Sequence, residues 1–208
     1  MQKILIATQN AGKFKELMEV LHDLPFEFIS LTDAKITGDV DESGETYEAN
    51  AILKAEYFGR KANLPTIADD SGLHVDALAG ELGVKTRRWG AGSEASDQEW
   101  LDYFLKRMAR ETNRRAEFVS VVALYWPGKP TQTFRGECKG VILPKPQVAL
   151  EPGVPLSSVF LADGQTQVFS ALPKSEKNRI SHRGQAIKKC TDYLSQCHSE
   201  RSEESPRR

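Results

Sequence analysis

Two adjacent carboxylates, Asp69 and Asp70, follow the short apolar run at residues 66–68 and precede Ser71 and Gly72. Acidic side chains at the end of a buried strand are costly unless a cation compensates them. Carboxylate oxygens are the hard ligands that Mg²⁺ takes in small number, together with water and phosphate. This pattern fits a magnesium site and, equally well, an acidic surface turn, because Asp and Ser are common turn formers.

A second acidic pair, Asp41 and Glu42, lies in a polar stretch before Gly44. Either carboxylate could supply a further Mg²⁺ ligand from a loop. The pair by itself favours the alternative, a solvated acidic loop.

The first turn of the chain has the pattern of a phosphate-binding loop. A buried strand at residues 3–7 leads into Thr8, Gln9, Asn10, Ala11, Gly12 and Lys13, and a helix follows. Backbone N–H groups and the dipole at a helix N-terminus attract anions, and a lysine adds a positive charge. The loop is not a Walker A motif, because Phe14 stands where Ser or Thr would bind Mg²⁺. Judged alone, the segment favours the alternative, an ordinary strand–helix turn with a solvated lysine.

A third cluster, at residues 177–184, combines Lys177, His182 and Arg183 near a predicted helix start. Arginine binds phosphate or keto oxygens through paired hydrogen bonds, so the cluster could hold a triphosphate and contact a base. A basic helix end on the surface is the alternative.

The elements that must position these residues alternate between strands and helices. Apolar spacing and turn residues predict strands at residues 26–31 and 66–68, a long hairpin of 116–126 with 131–143, and a second hairpin of 159–161 with 166–169. Asp69 to Gly72 are predicted as a turn after the short strand.

Thr46 is the expected N-cap of a helix to Asn63. Ser96 and Glu99 form a capping-box pattern before another helix, and a last helix is predicted to end near Leu194. Mixed strands and helices indicate an α/β or α+β fold around one long sheet.

Bulk composition favours a single globular domain over residues 1–196, with a disordered polar tail at 197–208. The 208 residues carry a formal net charge of -1, which gives no reason to expect a nucleic-acid partner. The 3 cysteines contain no CxxC pair and indicate a reducing compartment. The longest apolar run is too short to span a bilayer, so we expect a cytoplasmic protein without a membrane partner.

Taken together, the segments resemble the inosine triphosphatase (XTP/dITP pyrophosphatase) family, which hydrolyses non-canonical purine nucleotides. The matching stretches, in the family's order and at compatible spacing, are ILIATQNAGK at 4–13, NAILKA at 50–55, LPTIADDSGL at 64–73 with VDAL at 75–78, and EK at 176–177 with ISHRG at 180–184. One such motif alone is weak evidence for the family, whereas four motifs in the family's order favour the functional interpretation of each segment. The resemblance covers nearly the whole chain up to about Leu194.

The resemblance implies a role for each matching position. Asp70 would be the general base and a Mg²⁺ ligand, with Asp41 or Glu42 as the second acidic ligand. The loop residues Thr8, Gln9, Asn10, Ala11, Gly12 and Lys13, together with Lys54, would hold the phosphates and sugar. Ser71 would contact the substrate, and Lys177, His182 and Arg183 would contact the nucleotide.

The same resemblance implies the fold and the reaction. The fold would be a long, twisted mixed β-sheet with helices in two lobes and a central substrate cleft, in a homodimer. Water would attack the α-phosphorus and release a nucleoside monophosphate and pyrophosphate, with Mg²⁺ neutralising charge on the leaving group.

The chain departs from the family pattern where the family carries an aromatic-Gly-Tyr-Asp-Pro segment that contacts the base. The corresponding stretch here is GVPLSSVF at residues 153–160, in which only Phe160 matches. Ala49 also stands where the family has an acid. Three hypotheses follow: a purine pyrophosphatase with altered base preference, a pyrophosphatase for another nucleotide, and a nucleotide-binding protein without catalysis. Arg88 and Trp89 follow the family's Arg-Tyr pattern and are expected in the cleft or a subunit contact, with a packed loop aromatic as the alternative.

Overall fold

A computed structural model of the chain describes residues 1–92 and 94–203, with side chains as far as Cys197. Six strands form one mixed sheet in the order β2-β1-β3-β4-β5-β6. β1 runs parallel to β2 and β3, and the pairs from β3 to β6 are antiparallel. The strands are β1 (Gln2–Ile6), β2 (Phe26–Ser30), β3 (Thr66–Val75), β4 (Arg115–Tyr125), β5 (Gln132–Ile142) and β6 (Phe160–Ala162).

In the part of the chain that the structure describes, five α-helices flank the sheet: α1 (Ala11–Leu21), α2 (Tyr47–Ala62), α3 (Asp97–Arg107), α4 (Lys174–Ile180) and α5 (His182–Glu203). Short 3₁₀ turns lie at Asp76–Leu78, Thr86–Arg88, Pro155–Ser158 and Phe169–Ala171. Within residues 1–92 and 94–203, no helix has the length and apolar character needed to cross a membrane.

Alternation along β1 divides the first lobe into two packed layers. Ile4 and Ile6 point to the face covered by α1 and α5, where they meet Leu17. Leu5 points to the opposite face and packs against α2 through Ala51. A strand exposes successive side chains on opposite faces, so a continuous apolar strand such as β1 requires helices on both sides.

A third apolar cluster forms the second lobe. Leu73 at the far end of β3 joins Trp100 and Phe104 of α3, Phe118 of β4 and Phe160 of β6. β3 and β4 run through both lobes, because they pair over all ten residues of β3. The expected fold of a long mixed sheet with helices in two lobes is therefore confirmed.

Helix starts follow the sequence closely. The Thr46 side chain accepts a hydrogen bond from the Ala49 N–H, so α2 is capped although Ala49 cannot complete a capping box. Ser96 and Glu99 form the full capping box predicted for α3. Together they support the start of one helix in each lobe.

Three predictions of local structure are corrected. Asp69 to Gly72 form no turn: they lie within β3, because pairing with β4 continues through Val75. The hairpin of 159–161 with 166–169 does not form: β6 pairs with β5, while Phe169 packs on Phe160 at a ring-centroid distance of 4.9 Å. The last helix continues past Leu194 to Glu203. The sequence predicts a disordered tail at residues 197–208. Residues 204–208 lie outside the described residues, so for them the prediction of disorder stays open.

Candidate active site

The candidate site is a cavity of about 620 Å³ at the carboxyl end of β1. β1 pairs with β3 only at Thr66 and Ile67. Beyond Ile67, β3 continues without β1 beside it, and Asp69, Asp70, Ser71 and Gly72 line the cavity along this edge. Ligands of open α/β sheets bind at the carboxyl ends of the strands where the strand order reverses, and here β2 and β3 lie on opposite sides of β1.

The two carboxylates of the DDSG segment point to opposite faces of the sheet, because successive strand residues alternate. Asp69 contacts Lys13 of α1 and Arg183 of α5 on one face. Asp70 contacts Lys54 and Asn50 of α2 on the other face. Both nevertheless border the cavity, since β1 does not extend between them and the opening.

Asp69 joins three elements of the first lobe. Its Oδ2 atom lies 3.1 Å from Lys13 Nζ and 3.3 Å from Arg183 Nε. Burial alone would raise the pKa of this carboxyl, but the charges of Lys13 and Arg183 outweigh burial and hold the pKa far below its usual range. Asp69 is therefore an anion that positions Lys13 and Arg183.

Glu16 of α1 is the second buried anion of this face. It forms ion pairs with Arg183 and with Lys177 Nζ, the latter at 2.7 Å. Burial opposes ionisation, yet Arg183 and Lys177 lower the pKa of Glu16 to about 2. Lys177 also lies 3.1 Å from the Glu151 carboxylate. Glu16 thus holds Lys177 and Arg183, two of the basic residues of the third sequence cluster.

Asp70 occupies the other face in a different environment. Its Oδ1 atom accepts a hydrogen bond from Lys54 Nζ at 3.2 Å, and its Oδ2 atom accepts one from Asn50 at 3.2 Å. Burial raises the pKa of Asp70 above its ordinary value, and the charge of Lys54 offsets only part of this effect. A carboxylate with a raised pKa beside a cavity can accept a proton from a bound water.

Lys54 is shared between Asp70 and the loop acid Glu42, whose Oε1 atom lies 3.0 Å from Lys54 Nζ. Burial would lower the pKa of Lys54, but the carboxylates of Asp70, Asp69 and Glu42 outweigh burial and raise it. One cation therefore balances two carboxylates at the position where the sequence predicts a metal ion.

The predicted phosphate loop is the first turn of α1. Asn10 caps the helix: its Oδ1 atom accepts the Lys13 N–H at 2.9 Å, and its Nδ2 atom donates to the Gly153 carbonyl at 3.0 Å. The Gly153 N–H donates to Asp97 of α3 at 2.6 Å. A Cβ on Gly12 would lie 2.5 Å from the Pro152 carbonyl oxygen, so only glycine allows this close approach.

The opposite end of the cavity is apolar and aromatic. Trp100, Phe118 and Leu156 line it, and the His182 ring stacks on Phe118 at a centroid distance of 4.6 Å. Burial and the neighbouring Arg183 hold the pKa of His182 well below its ordinary value, so the ring is neutral. His182 Nδ1 and Trp100 Nε1 are buried without a hydrogen-bond partner among the described residues. A bound ligand could satisfy such atoms.

Comparison with known proteins places this geometry in a family. The Ham1 family profile matches residues 4–193. The chain belongs to the Ham1 family. This assignment covers both lobes and every site residue named above.

Individual relatives agree over nearly their full lengths. The dITP/XTP pyrophosphatase of Haemophilus influenzae is 42% identical over 190 residues, covering 89% of this chain and 95% of the relative. That of Bacillus subtilis is 36% identical over 196 residues, covering 93% and 98%. Among solved structures, the HAM1 protein from Coxiella burnetii has a TM-score of 0.79 at 33% identity, covering 94% of this chain and 100% of that one. The Staphylococcus aureus Ham1 protein has a TM-score of 0.78 at 34% identity, covering 93% and 98%.

Most residues predicted from the sequence come together in this Ham1 chain. The cavity is lined by Thr8, Gln9, Asn10, Lys13, Asp41, Glu42, Lys54, Asp70, Ser71, His182 and Arg183. Ala11, Gly12 and Lys177 do not line it: the first two lie in the first turn of α1, and Lys177 supports the site through Glu16. Their roles toward a substrate stay predictions.

Sequence reasoning gave no role to Glu16, Asn50 or Glu151, and it treated Asp69 only as half of an acidic pair that a cation would compensate. Asn50 and Asp69 stand inside quoted motifs, so their motif membership was the available signal. Glu16 and Glu151 lie in no motif. Their only sequence signal is charge, and their partners are distant along the chain.

Proposed function

We propose that this Ham1-family chain hydrolyses non-canonical purine nucleoside triphosphates such as dITP and XTP to the monophosphate and pyrophosphate. The relatives named as dITP/XTP pyrophosphatases support this function, since they are 36% to 42% identical over most of the chain. The observation that carries it is the position of Asp70, a buried carboxylate of raised pKa at the free edge of β3, between a cationic helix start and an aromatic pocket.

In the proposed reaction, a water oxygen attacks the α-phosphorus and one water proton passes to Asp70. The bond between the α-phosphorus and the oxygen bridging to the β-phosphorus breaks, and that oxygen leaves with pyrophosphate. Lys13, the N-terminal amides of α1 and Thr8 are placed to bind phosphate oxygens. Positioning and charge stabilisation supply most of the catalysis in such transfers.

The residues present fit a Mg²⁺ ion, which we propose as the cofactor. Among residues 1–92 and 94–203, no group of three or more His, Cys, Asp or Glu side chains is arranged to hold a metal. Mg²⁺ needs fewer, because one or two carboxylates suffice when substrate phosphates and waters complete its shell. Asp70 and Glu42 already share one cation, Lys54, and Asp41 lies on the same cavity wall. Bound Mg²⁺ would neutralise charge on the triphosphate.

We further propose that base preference is altered relative to other family members. Val154, Leu156 and Ser157 line the cavity where the family pattern has its aromatic, Tyr and Asp. The base end thus has an apolar wall and a hydroxyl in place of an acid. A hydroxyl both donates and accepts, so it discriminates less between keto and amino edges than a carboxylate does.

The test is pyrophosphate release by the purified chain with Mg²⁺ or with EDTA, on inosine, xanthosine, deoxyinosine and the four common triphosphates. Asp70→Asn should lower kcat by about 100-fold or more, because it removes the base. Glu27→Gln is a matched control, since Glu27 lies in an exposed ion pair with Lys3. Binding without release from any nucleotide would favour the non-catalytic hypothesis. A preference for inosine over adenine as sharp as in other members would refute the altered base preference.

A homodimer and a cytoplasmic location are also proposed, on the family resemblance and on free Cys138, Cys190 and Cys197. Light scattering coupled to gel filtration tests the first proposal, and fractionation of the source cells tests the second. A monomeric mass would refute the homodimer, and recovery outside the cytoplasmic fraction would refute the location.

A further inference from the structure

The cavity contains several cations, and most of them are already neutralised. Lys13 is paired with Asp69, Lys54 with Asp70 and Glu42, and Arg183 with Asp69 and Glu16. A nucleoside triphosphate brings several negative charges. The paired cations cannot balance all of these charges while they also hold their carboxylates.

Two further cations, Arg87 and Arg88, line the same cavity from the 3₁₀ turn Thr86–Arg88. Neither guanidinium forms an ion pair with a carboxylate in the part of the chain that the structure describes. Arg87 donates to the Ala95 carbonyl at 2.7 Å, toward the start of α3. Arg88 donates to the Glu42 carbonyl at 3.3 Å. Each keeps further N–H groups available for an anion.

The contact with Glu42 places Arg88 on the Asp70 side of the cavity. The Glu42 carboxylate binds Lys54, and Lys54 binds Asp70. The aromatic pocket with His182 lies with the second lobe, on the side of Asp69 and Arg183. A nucleotide with its base beside His182 and its α-phosphorus beside Asp70 would therefore extend its terminal phosphates toward Arg88.

We propose that Arg88 binds the terminal phosphates of the triphosphate and stabilises the leaving pyrophosphate. This inference rests on the proposed function, since it assigns a residue to the leaving group of that reaction. Negative charge grows on the leaving oxygen as its bond to the α-phosphorus breaks, so a guanidinium there acts more strongly in the transition state than in the ground state. Arginine suits this position because its planar group can bind two phosphate oxygens at once.

The test compares Arg88→Gln, Arg88→Lys and Lys85→Gln. Lys85→Gln is the matched control, because it removes a positive charge from the same loop at an exposed side chain outside the cavity lining and leaves Arg88 in place. Arg88→Gln should lower kcat/KM for the triphosphate by about 10- to 100-fold, the size expected for a lost charged hydrogen bond. Arg88→Lys should recover part of this loss, and Lys85→Gln should change kcat/KM by less than about threefold.

Product inhibition separates phosphate binding from a purely structural role. Inorganic pyrophosphate should inhibit Arg88→Gln at least about tenfold more weakly than wild type, while inhibition by inosine monophosphate stays within about twofold. Equal weakening for both products, or equal effects of Lys85→Gln and Arg88→Gln, would overturn the proposal. If wild type releases no pyrophosphate, the proposed function fails instead. Calorimetric titration of wild type and variants with pyrophosphate then still tests Arg88.

Discussion

Replacing Glu16 by Gln keeps the size of the side chain and removes a buried charge that two cations require. Burial opposes its ionisation, yet Arg183 and Lys177 lower the pKa of Glu16 from 4.5 to about 2. This difference corresponds to about 3 kcal/mol of folding free energy at neutral pH. Removing one partner of a buried ion pair costs a similar amount, about 3–5 kcal/mol. We therefore expect Glu16→Gln to lower the free energy of unfolding by about 3–5 kcal/mol at pH 7.

The low pKa of Glu16 determines how its contribution to stability changes with pH. The pKa of Glu16 is depressed in the folded state, so its contribution is complete above about pH 4.5 and is lost as the pH falls toward 2. The difference in the free energy of unfolding between wild type and Glu16→Gln should therefore be largest at pH 7 and should decrease steadily below about pH 5.

Urea unfolding followed by tryptophan fluorescence at pH 7, 5 and 3.5 measures this difference. At pH 7 the unfolding midpoint should fall by about 1–3 M urea. Glu27→Gln is the control: its ion pair with Lys3 is about half exposed, and the change should stay below about 1 kcal/mol. The reasoning would be refuted if Glu16→Gln lowered the free energy of unfolding by less than about 1 kcal/mol at pH 7. It would also be refuted if the decrease were the same at pH 7 and pH 3.5.

Three further predictions follow from individual contacts. Gly12→Ala should lower kcat/KM by about 100-fold, because the new Cβ would lie 2.5 Å from the Pro152 carbonyl oxygen and would displace the phosphate loop. Steady-state kinetics measures this loss, and circular dichroism checks that the fold of the variant is unchanged. Asn50→Leu removes a hydrogen bond to ionised Asp70, so the acidic limb of the pH–kcat/KM profile should move to higher pH, and an unmoved limb contradicts it. Phe104→Ala should cost about 3–5 kcal/mol in urea unfolding, since this ring is fully buried in the second lobe, and a loss below about 1 kcal/mol would be inconsistent with that packing.

Local patterns predicted the elements that depend on neighbouring residues. The strand–loop–helix start, the Thr46 cap, the Ser96–Glu99 capping box and the long hairpin all formed where the sequence indicates. Each depends on contacts within a few residues, which sequence patterns record directly. The assembly of the cavity followed from the resemblance of four segments taken together.

The errors arose where distant contacts override local preference. Asp69 and Asp70 favour a turn by residue type, but Lys13, Lys54 and Arg183 compensate their charges and β4 pairs with their backbone, so the strand continues. Glu16 had no local signal, because Arg183 follows it 167 residues later.

The alternation of Asp69 and Asp70 across β3 makes the site intolerant of small length changes. Insertion or deletion of one residue between Thr66 and Asp69 would exchange the two faces of the strand for every residue that follows. After a deletion, Asp70 would face Lys13 and Arg183, and Ser71 would face Lys54 in place of a carboxylate. After an insertion, Asp69 would face Lys54, and Lys13 and Arg183 would lose their carboxylate. We therefore expect changes in chain length to be tolerated at places such as the turn between β4 and β5, which lies outside the paired residues of both strands.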